Sequence, residues 1–262
     1  VNAARIEEAG EARVDDRSQY VAVVAHELRG PLMPILNAAA ILKHRPIDME
    51  MVEHCAGIID RQARILSRRV DDLMDVSRVQ MGGFHLERTP TSIAKIVRQA
   101  VEMVAPLAAQ RGLSLVVSLP PDSIELDADE SRLVQALQNL LGNALKFSDR
   151  GREIQLRVRR DRTWVEVAIS DSGIGLEAIE LESIFALFAQ CEPGVSAHSN
   201  RGLGIGLYLA RTFAVAHGGN LTAESAGRGK GSTFTLRIPA FDRARHPPLT
   251  LGASPTNDRF LS

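Results

Sequence analysis

With 262 residues, 45% of them hydrophobic and 24% charged, the chain is long enough for one large or two ordinary domains and too apolar to be disordered. Its 31 basic and 32 acidic side chains leave a formal net charge of -1, so no basic excess points to nucleic acid. Two isolated cysteines, Cys55 and Cys191, form neither a disulfide framework nor a metal-ligand set, which favours a reducing compartment, and no apolar run reaches the roughly 18 residues of a membrane span.

In chain order, residues from about 3 to 44 predict one long helix, interrupted or bent near Pro31 and Pro34. Val14, Val21, Leu28, Ile35 and Leu42 recur every seven positions, the mark of a packed helical seam, and this register turns His26 away from the seam. After the loop signal Arg45-Pro46-Ile47, Asp48 is set to cap a second helix over Met49 to Gln80. Val52, Ile59, Leu66 and Leu73 hold one of its heptad positions. Cys55 and Val76 lie on the adjacent stripe, which Gln62 and Arg69 interrupt. Two such helices form an antiparallel hairpin whose apolar stripes need a second copy, so a homodimeric four-helix bundle is expected.

Gly82-Gly83 ends the hairpin, and the predicted division is 1–83 for the hairpin, 84–91 for a linker, 92–240 for a second domain and 241–262 for a tail. The second domain reads as a helix from Ser92 to Arg111 stopped by Gly112, a strand over Leu113 to Leu119 and a short strand near Ile124 to Leu126. A helix capped by Asp129 then runs to about Phe147, followed by strands over Glu153 to Arg160 and Trp164 to Asp171. A loop-rich region spans Ser172 to Arg201, a helix Leu203 to His217, and strands Asn220 to Ser225 and Thr233 to Pro239 close the domain. Helices and strands that do not alternate strictly predict an α+β sandwich with helices on one face of a mixed sheet.

Five stretches carry candidate chemistry. In Val24-Ala25-His26-Glu27-Leu28-Arg29-Gly30-Pro31-Leu32, an outward histidine beside a carboxylate suits a nucleophile whose other proton has an acceptor. In Asn139-Leu140-Leu141-Gly142-Asn143-Ala144-Leu145-Lys146-Phe147-Ser148, helical spacing aligns Asn139, Asn143 and Lys146 on one face, which suits a magnesium-phosphate group; a solvated polar face is the alternative. Asp171-Ser172-Gly173-Ile174-Gly175 places a carboxylate and a tight turn after an apolar strand. Arg201-Gly202-Leu203-Gly204-Ile205-Gly206-Leu207 opens a helix as an anion site would, and Gly229-Lys230-Gly231-Ser232-Thr233-Phe234 alone says little more than hairpin turn.

In this order the stretches resemble the H box, N box, two glycine boxes and terminal glycine motif of sensor histidine kinases, and Ile184-Phe185-Ala186-Leu187-Phe188 resembles their F box. The resemblance covers about residues 15 to 240. It implies an all-α dimerisation and phosphoacceptor hairpin, followed by an ATP-binding α+β sandwich of the type shared with gyrase, heat-shock chaperones and mismatch-repair ATPases. It implies ATP-dependent autophosphorylation of His26, with Glu27 drawing a proton from the ring, and transfer to an aspartate of a response-regulator receiver domain. By the same resemblance Asn139 and Asn143 bind Mg2+, Asn143 most directly, and Lys146 contacts the phosphates. Asp171 selects adenine, Gly173 and Gly175 shape the base pocket, and Gly202, Gly204 and Gly206 let a lid over 176–201 close. A cytoplasmic location is expected, and a start without methionine inside a helical pattern predicts an upstream sensor that could carry a membrane anchor.

One position departs from the family pattern. Four residues after the histidine, where related H boxes often carry Thr or Asn, stands Gly30. Because that side chain is associated with positioning water for dephosphorylation of the regulator, weak phosphatase activity is expected. A metalloprotease reading of His26-Glu27 fails, since Gly30 also occupies the place of a second histidine. A conformational-clamp ATPase of the same superfamily leaves His26 unexplained, and intact Asn139, Asn143, Asp171 and His26 argue against a silent scaffold that nucleotide only stabilises.

Overall fold

The computed structural model describes residues 24–43, 48–189 and 203–240. Helix α1 covers 24–43 and runs through both Pro31 and Pro34 without the interruption expected of them. Each proline removes one amide donor, but the helix has turns on both sides to hold its path, and Pro31 is itself buried. Helix α2, Met49–Gln80, starts where its cap predicts: Asp48 Oδ1 accepts from the amide of Met51 at 2.8 Å. The Arg45-Pro46-Ile47 loop lies outside the described residues.

The segment expected to be only a linker contributes structure. Thr89–Ser92 form strand β1, which pairs antiparallel with β3, Glu125–Ala128, one or two residues beyond the predicted short strand. The Thr-Pro-Thr-Ser sequence gave no run of apolar alternation, so its pairing depends on a partner distant in sequence. Helix α3, Ile93–Arg111, follows at once with Ser92 as its cap and Gly112 in the left-handed conformation as its stop. Pro106 sits inside it.

Strand β2 spans Ser114–Ser118, and helix α4, Glu130–Phe147, begins at its Asp129 cap. Strands β4, Glu153–Asp161, and β5, Trp164–Ser170, form a hairpin. The described part of the loop-rich region contains one helical turn, α5, Glu180–Ser183. Helix α6, Gly206–Ala216, starts three residues later than predicted because Gly204, at φ 70°, cannot continue a right-handed helix. Strands β6, Asn220–Glu224, and β7, Thr233–Pro239, complete a five-stranded sheet of order β2-β4-β5-β7-β6, parallel only between β2 and β4.

The apolar positions of β4, β5 and β7 alternate. Ile154, Leu156, Val165, Val167, Ile169, Phe234 and Leu236 point to one face and are buried beneath α3, α4 and α6. Helix α4 runs through the centre of this layer with Leu133, Leu137, Leu140, Leu141 and Leu145 at 0–1% exposure. Each such leucine contributes roughly 1.5–3 kcal/mol by leaving water. The helix is therefore fixed, and its remaining face can carry chemistry without moving.

The two domains meet along a polar seam. Asp75 of α2 accepts from Arg132 Nη1 of α4 at 2.6 Å, and Gln135 Nε2 donates to both Asp72 and Asp75 at 3.1 Å. The Arg132 guanidinium lies over Phe84 and Phe213, whose rings stack 5.4 Å apart. A cavity of about 310 Å³ opens beside this seam, lined by Arg78, Phe84, His85, Glu87, Asp129 and Arg132 among others. It is a junction cavity, away from the asparagine face of α4.

Candidate active site

The helical register that buries the leucines of α4 leaves Asn139, Asn143 and Lys146 half-buried on another face. Asn139 Nδ2 donates to the carbonyl of Gly206 at 3.1 Å, so the asparagine face and the start of α6 are joined directly. A Cβ on Gly206 would stand 3.2 Å from Asn139 Cγ, a tight approach that would press on the asparagine side chain. The Lys146 ammonium lies 4.8 Å from the centre of the Phe147 ring. At the end of α4, Ser148 Oγ is buried without a hydrogen-bond partner, an oxygen still able to donate or accept.

Asp171 is held at the end of β5 by the backbone of its own turn and by the terminal glycine motif. Its Oδ1 accepts from the amides of Gly173 at 2.8 Å and Ser232 at 3.3 Å, and its Oδ2 accepts from Ser232 Oγ at 2.6 Å. A carboxylate has about four acceptor positions, so these bonds fix its direction without exhausting it. Ser232 received no role from the sequence. Its signal was its place directly after Gly231, where the chain folds back onto the first glycine box.

The glycines act first on the chain itself. A Cβ on Gly173 would lie 2.3 Å from the carbonyl oxygen of Phe147, one on Gly175 would lie 2.1 Å from that of Gly227, and one on Gly231 would lie 2.0 Å from that of Asp171. The first glycine box, the end of α4 and the terminal glycine motif are thus packed backbone to backbone. Gly231 N–H donates to Gly173 O at 3.1 Å, and Gly229 N–H to Ile174 O at 2.7 Å.

Of the expected lid over 176–201, residues 176–189 are described, and the end of that stretch touches the second glycine box. Phe188, in the left-handed conformation at φ 64°, donates its amide to Gly204 O at 3.1 Å, and a Cβ on Gly204 would overlap Phe188 and Ala189. A non-glycine residue in this conformation is strained and needs its surroundings to hold it. Gly202 lies outside the described residues.

Asn139 and Asn143 would hold a hydrated Mg2+, and Lys146 the phosphates that accompany it. The described residues contain no cluster of three or more His, Cys, Asp or Glu that could cage a metal. Amide oxygens beside an ammonium and a buried, unsatisfied hydroxyl instead suit a hard cation that keeps most of its water and binds mainly through its substrate.

On the hairpin, His26 is exposed on α1, as the heptad register required. Glu27 is turned the other way. It is 9% exposed, and its carboxylate Oε2 is 3.0 Å from Arg69 Nη1 on α2, while the same guanidinium nitrogen donates to the Glu27 carbonyl. The Arg69 that breaks the apolar stripe of α2 therefore has a purpose the sequence did not disclose. Structure places His26 and Glu27 on adjacent but different faces of α1, so the expected pairing of the two side chains is not the arrangement seen.

Residues 16–82 match the family of His Kinase A (phospho-acceptor) domains, and residues 128–242 match that of histidine kinase-, DNA gyrase B- and HSP90-like ATPases. The chain belongs to the sensor histidine kinases. Its hairpin is the phosphoacceptor domain and its α/β layer the ATP-binding domain of that family. Histidine protein kinase DivJ of Caulobacter vibrioides is 32% identical over 232 residues, covering 87% of this chain and 38% of DivJ. Full-length ShkA, solved in complex with AMPPNP, has a TM-score of 0.61 at 26% identity over 85% of this chain and 46% of that one. The histidine kinase ThkA in complex with response regulator protein TrrA has a TM-score of 0.59 at 22% identity, covering 92% of this chain and 67% of that one. The chain spans well under half the length of the curated relatives it matches.

Proposed function

We propose that this kinase core transfers the γ-phosphoryl group of ATP to His26 and from there to an aspartate on a response-regulator receiver domain. The observation that carries the reading is that one chain holds an exposed histidine on a helical hairpin and a fixed Asn139-Asn143-Lys146 face joined to the glycine-rich start of α6. Asp171 accepts the amino group of adenine, using the acceptor positions that Gly173 and Ser232 leave open. Asn143 and Asn139 hold Mg2+, which when bound offsets phosphate charge, and Lys146 contacts the phosphates. Gly202, Gly204 and Gly206 allow the segment after Phe188 to close over them. His26 attacks in line with the leaving oxygen, and Glu27 takes the proton from the other ring nitrogen.

A homodimer completes the hairpin. Leu32 and Leu36 of α1 and Val70 and Met74 of α2 are 41–51% exposed, apolar pairs one turn apart that a second copy would cover in a four-helix bundle. No described helix is long and apolar enough to cross a membrane. The kinase core acts in the cytoplasm, where ATP and the regulator are, downstream of a sensor on the same polypeptide. DivJ carries the words histidine protein kinase in its name, and ThkA was solved with a response regulator protein, which supports this assignment of partners.

Incubation with γ-labelled ATP and Mg2+ tests the proposal. Wild type is expected to acquire acid-labile, alkali-stable label, and His26→Gln to acquire none while still binding nucleotide. Label on both variants, or on neither when the dimer and nucleotide binding are intact, would overturn it.

A further inference from the structure

Glu27 is an unusual carboxylate to find beside an exposed histidine. It is buried to 9% exposure, it faces α2, and its Oε2 makes no hydrogen bond although Arg69 Nη1 stands 3.0 Å away. The Arg69 N–H is directed instead at the Glu27 carbonyl oxygen. The carboxylate therefore has charge compensation without a donor aligned on that oxygen. A buried acceptor left in this condition is poorly satisfied, and it gains if it finds a donor elsewhere. One donor is next to it in sequence: the ring N–H of His26, exposed one residue earlier on α1. Adjacent helical residues do not face one another, so Glu27 must leave Arg69 to reach the ring. The two partners compete for one carboxylate.

Arg69 is well placed for this competition. It is 16% exposed along its side chain and anchored to the α1 backbone by its bond to the Glu27 carbonyl, which does not depend on where the carboxylate points. The guanidinium can thus stay in place while the carboxylate comes and goes. It also occurs on the apolar stripe of α2 between Cys55 and Val76, both buried, where a charged residue has no packing reason to be.

We infer that Arg69 is a positioning residue that stows Glu27 against α2, and that release of the Glu27 carboxylate from Arg69 to the ring N–H of His26 arms the phosphoacceptor. This deepens the proposed function and rests on it. In the armed state one His26 ring nitrogen forms the bond to phosphorus as the bond from the γ-phosphorus to the β,γ-bridging oxygen breaks. ADP departs with that electron pair, and the proton of the second ring nitrogen passes to Glu27. Nothing is oxidised or reduced, and the proton count closes on the carboxylate.

The test is a double-mutant cycle on the dimeric protein with labelled ATP, using Arg69→Met, Glu27→Gln and the double variant, with Arg69→Lys as the conservative control. Removing the stowing cation is expected to raise the initial rate of His26 labelling about three- to tenfold through kcat, with KM for ATP unchanged, because Arg69 lies on the hairpin and outside the nucleotide site. Arg69→Lys, which keeps the charge, should stay near the wild-type rate. Glu27→Gln should be slow, and in that background Arg69→Met should change nothing, since no carboxylate is left to release. A rate that falls in Arg69→Met, or that changes equally with and without Glu27, would overturn the inference and leave Arg69 a structural ion-pair partner. A melting temperature for each variant separates an unfolded hairpin from a slow one. If wild type itself takes no label on His26, the proposed function fails first, and the two failures are told apart.

Discussion

The two halves of this kinase core are finished to different degrees. In the ATP-binding domain every large apolar residue of α4 that points inward is at most 1% exposed up to Leu145, apart from Val134 at 8%. In the described hairpin the buried apolar residues are Pro31, Ala38, Cys55 and Val76, while Met33, Leu36 and Met74 stand about half exposed. The first region closes its core within one chain, so its site geometry is set by its own backbone. The second leaves apolar residues exposed, and in the proposed homodimer another copy covers them, so there the surroundings of His26 depend on assembly. Nucleotide binding should therefore survive changes that weaken the hairpin, and phosphorylation should not.

The largest effect that would test this contrast comes from Gly231→Val. The backbone there has φ 71°, and a Cβ would sit 2.0 Å from Asp171 O, so both the conformation and the space are denied. A loss of more than about 3 kcal/mol is expected, with nucleotide binding abolished. Leu36→Ala, on the exposed stripe of α1, should leave nucleotide affinity unchanged while weakening the dimer; fluorescent nucleotide titration and sedimentation measure the two. Binding by Gly231→Val at wild-type strength would show that the glycine packing is dispensable. Next in size is Arg132→Ala at the seam. It leaves Asp75, 5% exposed along its side chain, with only the Gln135 amide and the more distant Arg78 at 4.0 Å, at a cost of about 2 kcal/mol in a denaturant melt. Because Arg132 also lies over Phe84 and Phe213, the loss should appear in both domains at once rather than in the hairpin alone.

How much of this was legible in the sequence follows the same division. Local signals were accurate: Asp48 and Asp129 each cap the helix they were expected to cap, and Gly112 stops α3, because caps and left-handed stops are chemistry within a few residues. Asn139, Asn143 and Lys146 fell on one face because helical period decides that. Pairings across the chain were not legible. Thr89–Ser92 become a strand only through Glu125–Ala128, and Ser232 reaches Asp171 from 61 positions away. Arg69 was visible as a flaw in an apolar stripe, but its partner Glu27 lies 42 residues earlier, and the sequence gives no rule for that match.

Two buried titratable groups give the contrast a pH signature. Burial, opposed by a hydrogen bond from Gln135 and reinforced by Asp75, pushes the carboxyl of Asp72 at the seam up to about 6. The folded protein then holds more protons than the unfolded chain between about pH 4 and 6. Stability from this group is present below that window and is lost as pH rises through it. Asp72→Asn, which imitates the protonated form, should stabilise the protein by about 2 kcal/mol at pH 7.5 and remove that slope. His217 works in the opposite direction. Burial lowers its pKa despite its bond to the Phe213 carbonyl, and its Nε2 accepts the amide of Asp129 at 3.0 Å, an interaction that requires the neutral ring. Below its unfolded value of about 6.5 the unfolded chain takes the proton first, so stability is lost as pH falls. His217→Gln should cost about 1 kcal/mol at pH 7.5 and flatten the acid limb. Thermal melts from pH 4 to 8 read both slopes; parallel profiles for wild type and Asp72→Asn would remove the seam from the account.

The smallest expected change in stability belongs to Gly30→Thr, and it bears on chemistry alone. Gly30 lies in α1, exposed, and a Cβ there meets nothing within 4 Å. Glycine in a helix costs about 1 kcal/mol relative to alanine, and threonine somewhat less, so the substitution should change the melt by a few tenths of a kcal/mol at most, in the stabilising direction. Autophosphorylation should be unaffected, since residue 30 lies one turn beyond His26 and touches neither Glu27 nor Arg69 in the described contacts. In the proposed phosphotransfer a threonine hydroxyl there would nevertheless stand on the exposed part of α1 that also carries His26, able to hold a water against the aspartyl phosphate of a docked receiver domain. The expected result is faster dephosphorylation of the regulator by Gly30→Thr than by wild type, at equal kinase rate. An unchanged dephosphorylation rate would mean that the missing side chain at this position is not what limits the reverse activity.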